Sequence, residues 1–282
     1  MGLGLRMTRR GVGRVLPVGL FVAGVLATLI VPLSTRAQEV FHSTQSANLP
    51  TAETLRDGNW LFEISHRFLP PISDGAGALW GFDGPVFNRL GLTFAPSDRV
   101  LLGVLRTNND DNLEINAKAL VAEGTSGRVR YKLAAMAGVA WNTGVFVTQG
   151  AEDNEMQLYG QLIVNALLSD RVAVGVVPTY LRNARILDFD VENAFVLGIH
   201  VQAYLTRSMS VLGEWLFTEE RQGLENDSGT FGIELETRGH FFKVIVTNQS
   251  RMNPTQFLGG TPNPFDAGEL RLGFNITRIL PF

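Results

Sequence analysis

Hydrophobic and polar residues alternate with a period of two along much of the chain, which is typical of β-strands with one apolar face. The alternation begins between residues 60 and 68, where the polar face carries Glu63 and Arg67. It returns in the last strand, whose apolar face includes Leu270, Leu272 and Phe274. The pattern therefore predicts an all-β fold with about twelve strands across residues 58–282.

The most regular strand covers residues 129–141, and Tyr131 and Trp141 lie near its two ends on the apolar face. At ~3.3 Å per residue and ~45° tilt, ten residues span the ~25 Å apolar band of a membrane barrel. The sequence therefore predicts an aromatic girdle at the two edges of this band. Its predicted members are Trp60, Phe68, Tyr131, Trp141 and Trp215.

The connections between these strands alternate between long and short. They are long after the odd-numbered strands and short after the even-numbered ones. An outer-membrane barrel has short periplasmic turns and longer extracellular loops, with both termini on the periplasmic side. A soluble sandwich or lipocalin-like barrel has no reason to keep this alternation. The pattern thus favours a transmembrane antiparallel β-barrel.

The N-terminal residues 1–37 have the composition of a cleaved signal peptide. Arginines precede an apolar run over residues 15–33, and Ser34-Thr35-Arg36-Ala37 provides a small-residue cleavage site after Ala37. A retained inner-membrane anchor is the alternative. Residues 38–57 are polar and aperiodic, so we predict a short periplasmic N-terminal lead there, followed by the barrel over residues 58–282.

Composition limits the chemistry of the mature chain. It has no cysteine, which excludes disulfides and thiolate sites. Removing the signal takes five of the 24 basic residues and none of the 27 acidic ones, so the mature charge is 19 minus 27, or −8. An acidic chain without a basic face is not expected to bind nucleic acid.

The last strand ends on an aromatic residue, and its apolar positions include Phe274, Ile276, Leu280 and Phe282. These residues resemble the C-terminal assembly signal of bacterial outer-membrane β-barrels. The resemblance implies a location in the outer membrane, surrounded by its lipid. It also implies recognition by the barrel-assembly machinery.

A second resemblance rests on about twenty residues around the first strand. Thr51-Ala52-Glu53-Thr54-Leu55, Gly58 and Ile64-Ser65-His66-Arg67-Phe68 are similar to an uncharacterised bacterial β-barrel family, the domain-of-unknown-function family numbered 5777. The resemblance implies a fold and no activity.

If the apolar faces meet lipid, the opposite faces line the lumen. A charge facing lipid costs ~2–4 kcal/mol at mid-membrane, so charged residues are expected inside. We predict a narrow polar lumen lined by Glu63, Arg67, Lys118, Arg128, Arg130, Lys132, Glu214, Glu234, Glu236, Lys243, Glu269 and Arg271. The basic cluster on strands four and five should lie opposite the glutamates of strands nine and ten. Either the two walls form a water-filled constriction with a transverse field, or they pair and close the lumen.

The favoured function is porin-like passage of small polar or charged solutes. The alternative is a structural or scaffolding barrel that docks a protein partner through its periplasmic lead or its long loops, residues 70–85, 142–155 and 251–267. A lipid-modifying enzyme is a distant third. His66 lies on the apolar face, but Ser65 points the other way and no Gly-x-Ser-x-Gly elbow occurs. We predict no enzyme activity, no cofactor and no metal site, since the acidic loops match no Ca²⁺-binding motif and are typical of solvated surface.

Overall fold

A computed structural model describes residues 39–144, 155–186, 191–221 and 223–281. These residues form a closed barrel in which every strand is antiparallel to its neighbours. The prediction of about twelve antiparallel strands is confirmed, and the predicted signal peptide lies outside the described residues. The strands are β1 (Trp60–Phe68), β2 (Val86–Ser97), β3 (Val100–Thr107), β4 (Asn112–Ser126), β5 (Val129–Asn142), β6 (Met156–Ser169), β7 (Val172–Arg182), β8 (Asn193–Tyr204), β9 (Met209–Phe217), β10 (Ser228–Thr237), β11 (His240–Thr247) and β12 (Arg271–Leu280).

The first and last strands close the barrel. Trp60 lies opposite Leu280, and Arg67 lies opposite Gly273. Closure leaves no unpaired strand edge, as a chain in lipid requires. A Cβ atom on Gly273 would lie 2.8 Å from Cδ of Arg67, so glycine makes room for this buried arginine.

The predicted assembly-signal residues of β12 are half-buried in the barrel wall, except Phe282, which lies outside the described residues. The half-buried ones are Phe274, Ile276 and Leu280. The predicted girdle residues all lie near strand ends. Trp60 and Phe68 begin and end β1, Tyr131 and Trp141 lie near the ends of β5, and Trp215 is near the end of β9. The roles in assembly and in the girdle stay predictions.

One end of the barrel carries only short turns. The connection between β10 and β11 has two residues, Arg238 and Gly239, with φ of 50° and 85°. Positive φ at both positions matches the type I′ hairpin turn, in which glycine avoids the steric cost of this conformation. The longer connections all lie at the other end, so the short-turn end is periplasmic in an outer-membrane barrel.

The outer surface of the strands is apolar, and large side chains such as Leu90 and Val244 are more than half exposed there. The inner surface is more varied than the predicted polar lumen. Polar and charged side chains line much of it, but the inner face of β5–β9 carries a buried apolar patch that includes Tyr159, Ile163 and Val177. This patch is tolerated inside because it contacts other parts of the chain rather than water.

Most of the N-terminal residues 39–57 lie inside this barrel, with residues 39, 56 and 57 exposed, and we call this segment the plug. The sequence predicts a periplasmic lead here, and the structure differs from that prediction. Val40, Phe41, Ala47, Leu49 and Ala52 are all at most 2% exposed. The plug lacks strand periodicity because it is held by main-chain hydrogen bonds and by scattered side chains rather than by one apolar face.

A second segment folds inward from the opposite end. It is the connection between β11 and β12, residues 248–270, which we call the inserted loop. It contains a one-turn helix, α1 (Pro254–Phe257), and residues 252–261 are buried. None of the helices in the described part of the chain is long and apolar enough to span a membrane.

Candidate functional site

The candidate site is the occupied lumen, and the plug folds there as a compact hairpin. The N–H of Ser46 donates to the carbonyl of Leu49 at 2.8 Å, and the N–H of Thr51 donates to the carbonyl of Thr44 at 3.0 Å. Near the periplasmic turn of β2 and β3, the N–H of Asp57 donates to Oδ1 of Asp98 at 2.7 Å. The hairpin is thus rooted at the short-turn end, and its tip is presented to the wall.

Glu214 of β9 binds the tip of the plug. Its carboxylate accepts hydrogen bonds from the N–H groups of Ala47 (2.7 Å), Asn48 (3.0 Å) and Leu49 (3.0 Å). Successive N–H groups that converge on one anion form a nest, which stabilises a charge without a cation. The buried carboxylate of Glu214 is therefore satisfied by the plug's main chain.

Two lysines of the wall bind the carbonyl groups of the same hairpin. Nζ of Lys118 donates to the carbonyls of Thr44 (3.0 Å) and Thr51 (2.7 Å). Nζ of Lys243 donates to the carbonyls of Gln45 (2.6 Å) and Ser46 (2.7 Å). An ammonium group has three N–H donors and no acceptor, so carbonyl oxygens are suitable partners for these buried cations.

Glu234 of β10 and Lys243 of β11 form an ion pair, with 3.1 Å between Oε2 and Nζ. The plug caps this pair, since Oε1 of Glu234 lies 3.0 Å from Nδ1 of His42 and Ser43 Oγ donates to Oε2 at 3.1 Å. Gln202 of β8 adds a further hydrogen bond at 2.6 Å. The pair is thus enclosed by the wall on one side and the plug on the other.

The plug also provides its own charged residue. Glu53 pairs with Lys132 of β5 at 2.5 Å. The other carboxylate oxygen of Glu53 accepts hydrogen bonds from the N–H groups of Val40 (3.0 Å) and Phe41 (3.2 Å). One carboxylate therefore joins the two arms of the hairpin to the basic wall.

Apolar contacts complete the fit of the plug. Leu49 belongs to the buried cluster on the inner face of β5–β9. Gly198 of β8 provides the space, because a Cβ atom there would lie 2.6 Å from Cδ2 of Leu49. Phe41 stacks on His200 with 4.6 Å between ring centroids. The apolar patch of the wall thus receives the apolar side chains of the plug.

The inserted loop is anchored near the extracellular ends of β4 and β6. Glu114 accepts hydrogen bonds from the N–H and Oγ1 of Thr255, both at 3.3 Å, and from the hydroxyl of Tyr159 at 2.8 Å. Nδ2 of Asn253 donates to Oδ1 of Asn112 at 2.5 Å. The loop therefore closes the lumen from the side opposite to the plug.

Arg89 of β2 joins the wall, the plug and the inserted loop. Its guanidinium forms an ion pair with Glu63 and donates to the carbonyl of Met252 in the inserted loop. It also donates to Oε1 of Gln45 in the plug at 3.3 Å. A rigid fork with five N–H donors is suited to this role, and Arg89 is 1% exposed.

The structure brings only some of the predicted lumen-lining residues into this site. Buried residues in contact with the plug or its neighbours are Glu63, Arg67, Lys118, Glu214, Glu234 and Lys243, and Lys132 is half-buried. At the periplasmic end, Arg128 is exposed, and Arg130 and Glu236 are half-buried. At the other end, Glu269 and Arg271 pair with each other at 3.1 Å.

The two charged walls do not meet in either of the ways that the sequence suggests. The plug lies between them, and it binds Lys118 and Lys132 on one side and Glu214 and Glu234 on the other. The physical reason is that main-chain N–H and C=O groups satisfy buried charges of both signs. Neither an open transverse field nor a direct pairing of the two clusters describes this lumen.

Ser65 and His66 lie on opposite faces of β1. The hydroxyl of Ser65 points inward and donates to Glu63 at 2.5 Å. The ring of His66 packs against Phe274, with 4.5 Å between centroids. The two side chains therefore do not form a nucleophile–base pair. Among the described residues, no three His, Asp or Glu side chains are grouped as metal ligands.

Sequence reasoning missed Arg89, Glu53 and Glu114 as site residues. Arg89 and Glu114 have the inward parity of their strands, and this signal was available. Glu53 lies in the aperiodic plug, where no strand pattern could indicate which way it points.

The family model described as a membrane bound beta barrel domain (DUF5777) matches residues 41–280. No curated protein matches the sequence. The fold is similar to that of the solved KdgM porin, with 8% identity, 79% of this chain and 99% of that chain covered, and a TM-score of 0.47. The NanC porin gives 6% identity, the same coverage and a TM-score of 0.47. The outer-membrane phospholipase A from Escherichia coli gives 12% identity, coverage of 80% and 92%, and a TM-score of 0.38. Likenesses of this degree carry no solute or activity over to this chain.

Proposed function

Because the chain belongs to the membrane-bound β-barrel domain family and forms an outer-membrane barrel, we propose that it is a gated passage for small polar or charged solutes. In the resting state the plug and the inserted loop close the lumen. A solute passes when the plug leaves its position along the wall and the inserted loop, which shares Arg89 with the plug, opens with it.

The observation that supports this proposal is that two separate segments of the chain, the plug and the inserted loop, fill the lumen. In a narrower barrel the side chains of the wall alone would suffice for a permanent closure. The wall that they cover carries charges of both signs, Lys118 and Lys243 beside Glu214 and Glu234. Hydrogen bonds to the plug satisfy these charges, and water or a polar solute can replace such bonds.

Planar-bilayer recording of the refolded full chain tests the proposal. We expect rare conductance steps for the wild type. Glu214→Ala should lengthen the open periods at least severalfold, because the plug loses its acceptor for three N–H groups. Glu236→Ala, on the neighbouring strand and in contact with a turn N–H rather than the plug, is the matched control.

Plug release is measured separately with Ser46→Cys. The chain has no other cysteine, and Ser46 is 3% exposed. A membrane-impermeant maleimide should therefore react only with released plug. If the thiol of Ser46→Cys becomes reactive in the Glu214→Ala background and no current appears, the passage proposal is wrong.

The second candidate is a structural barrel that docks a protein partner. The connection between β1 and β2 supports it, because Leu79, Trp80 and Phe82 are each more than half exposed there. Leu79 and Trp80 also have positive φ, which is unusual for large side chains. Two of the other predicted docking segments, the plug and much of the inserted loop, are buried and expose little surface to a partner. Residues 145–154 of the third lie outside the described residues.

This candidate predicts no conductance in any plug variant. It also predicts that Leu79→Ser with Trp80→Ser abolishes co-purification of a specific partner without changing the unfolding midpoint. A partner that stays bound to this double variant would rule out docking through these residues.

A further inference from the structure

The wall recognises the plug mainly through its main chain. Between residues 44 and 52, five wall side chains bind nine main-chain groups of the plug. Lys118 binds the carbonyls of Thr44 and Thr51, Lys243 those of Gln45 and Ser46, and Asn275 that of Ala47; Glu214 binds the N–H groups of Ala47, Asn48 and Leu49, and Asn165 that of Ala52.

The plug's own side chains contribute fewer polar contacts to the wall in this stretch. Gln45 contacts Glu63 and Arg89, and Asn48 contacts Glu214, Arg67 and Thr230. Binding through N–H and C=O groups depends little on side-chain identity, because every residue except proline has both groups. The wall therefore carries a site for a polypeptide main chain rather than for one particular sequence.

When the plug leaves, the wall is left with buried donors and acceptors whose partners are gone. Lys118 loses both carbonyl partners, and Glu214 loses all three N–H partners. Unsatisfied buried polar groups are costly, so a ligand that offers N–H and C=O groups at peptide spacing binds there favourably. Sugar hydroxyl groups also donate and accept hydrogen bonds, but they do not repeat at the spacing of a main chain, and an inorganic ion offers a single sign of charge. A peptide presents N–H and C=O groups in the order that the wall already binds.

The wall also contains a pocket for an apolar side chain. Leu49 occupies it, above Gly198 and beside buried Val196 and Leu216. The pocket adds a preference for a branched aliphatic residue near the middle of the bound segment.

We infer that the lumen takes short peptides, which bind through their main chain in the position of residues 44–52. The plug is then a competing segment of the same chain. This inference deepens the proposed function and rests on it, since a peptide reaches the site only when the plug is displaced.

The test uses the full chain with substitutions in the plug alone, so that the wall stays intact. Asn48→Pro with Leu49→Ser removes one N–H partner of Glu214 and the apolar anchor. The probe is a fluorescent peptide with the sequence of residues 44–52, acetylated and amidated. Its binding is followed by fluorescence anisotropy in detergent. A second peptide has alanine in place of Gln45 and Asn48, and a third has aspartate in place of Leu49.

We expect the plug variant to bind the first two peptides with affinities within about threefold, because the main chain carries the recognition. The third should bind at least about tenfold more weakly, since it places a charge in the apolar pocket. The wild type should bind each peptide at least about tenfold more weakly than the plug variant binds the first peptide. Its intact plug is a tethered competitor with an effective concentration of about millimolar. Lys118→Met with Glu214→Ala in the plug variant should abolish binding.

Maleimide labelling of Ser46→Cys, added to each protein, identifies whether the plug has left in each sample. If the thiol stays protected in the plug variant, Ala47→Asp, which places a second carboxylate beside Glu214, replaces the two plug substitutions. A released plug without peptide binding overturns the inference, and so does binding that the two wall substitutions leave unchanged. Ion currents from the same protein separate the two proposals. Currents without peptide binding reject only the peptide inference, and peptide binding without currents rejects only the passage.

Discussion

Lys243 and Glu234 face each other on neighbouring strands with 3.1 Å between Nζ and Oε2, and each side chain is 1% exposed. Both also bind the plug. Lys243 donates to the carbonyls of Gln45 and Ser46, and Glu234 accepts from Ser43. A pair buried this deeply is stable only when its remaining hydrogen-bonding capacity is filled, and here the plug fills it.

Lys243→Met is therefore expected to lower the free energy of unfolding by about 3–5 kcal/mol, because it leaves a buried carboxylate without its cation. The double variant Lys243→Met, Glu234→Met should lose much less, since neither charge of the pair remains. Equilibrium unfolding in urea, followed by tryptophan fluorescence, measures both values. Glu234→Met is the second single variant of the cycle, and if the effects of the two single substitutions add up to that of the double one, Lys243 and Glu234 do not interact in the folded state.

Gly198→Val is expected to release the plug. The new side chain would occupy the space of Leu49, and overpacking of this kind costs about 1–3 kcal/mol. In the Ser46→Cys background we therefore expect faster maleimide labelling and more frequent conductance steps.

The matched control is Gly160→Val on β6, where a Cβ atom would meet no other atom within 4 Å. Both substitutions make the same chemical change in a strand. Equal labelling rates in the two variants would show that the contact with Leu49 does not hold the plug.

Arg89→Met is expected to loosen both closures at once, because Arg89 contacts Gln45 in the plug and Met252 in the inserted loop. It also leaves Glu63 buried without its cation, which costs about 3–5 kcal/mol. Protection of main-chain amides should fall in residues 44–52 and 252–261 together, as hydrogen exchange with mass spectrometry can measure. Loss of protection in only one of the two segments would mean that Arg89 does not couple them.

The barrel could be predicted from the sequence because its strands face two different environments. The outward positions of β1 and β12 meet apolar surroundings and the inward positions of the same strands meet polar groups, so every second residue carries the signal. The short connections marked the strand ends to within a few residues, although residues 124–126, which have the composition of a turn, still belong to β4. An antiparallel barrel of about twelve strands followed from these two patterns.

The contents of the lumen could not be predicted in the same way. Residues 44–52 are held mainly through main-chain N–H and C=O groups, which do not depend on the side chain, so their sequence carries no periodic signal. Residues 252–261 are buried although Asn253, Thr255 and Gln256 are polar, because these side chains bind partners inside the barrel. The sequence pattern of a polar segment without periodicity does not distinguish a segment in water from one in a polar lumen. Parity placed Glu214 and Lys118 inside, but it could not indicate that a main chain would be their partner.

The carboxylate of Glu114 is expected to control the extracellular closure. Glu114→Ala removes the acceptor for the N–H and hydroxyl of Thr255 and for the hydroxyl of Tyr159. Leaving these buried donors unpaired costs about 1–3 kcal/mol, which favours local opening of the inserted loop over global unfolding. Trypsin can report on this opening, because Arg251 is followed by Met252, which is fully buried in the closed loop. We expect cleavage after Arg251 to accelerate roughly tenfold in Glu114→Ala, the factor that corresponds to about 1.4 kcal/mol of local stability.

Glu114→Gln retains an acceptor oxygen and should stay close to the wild type, and Glu225→Ala in an exposed loop should have no effect. If Glu114→Ala is as resistant as Glu225→Ala, the inserted loop is held by its other contacts, such as that between Asn253 and Asn112.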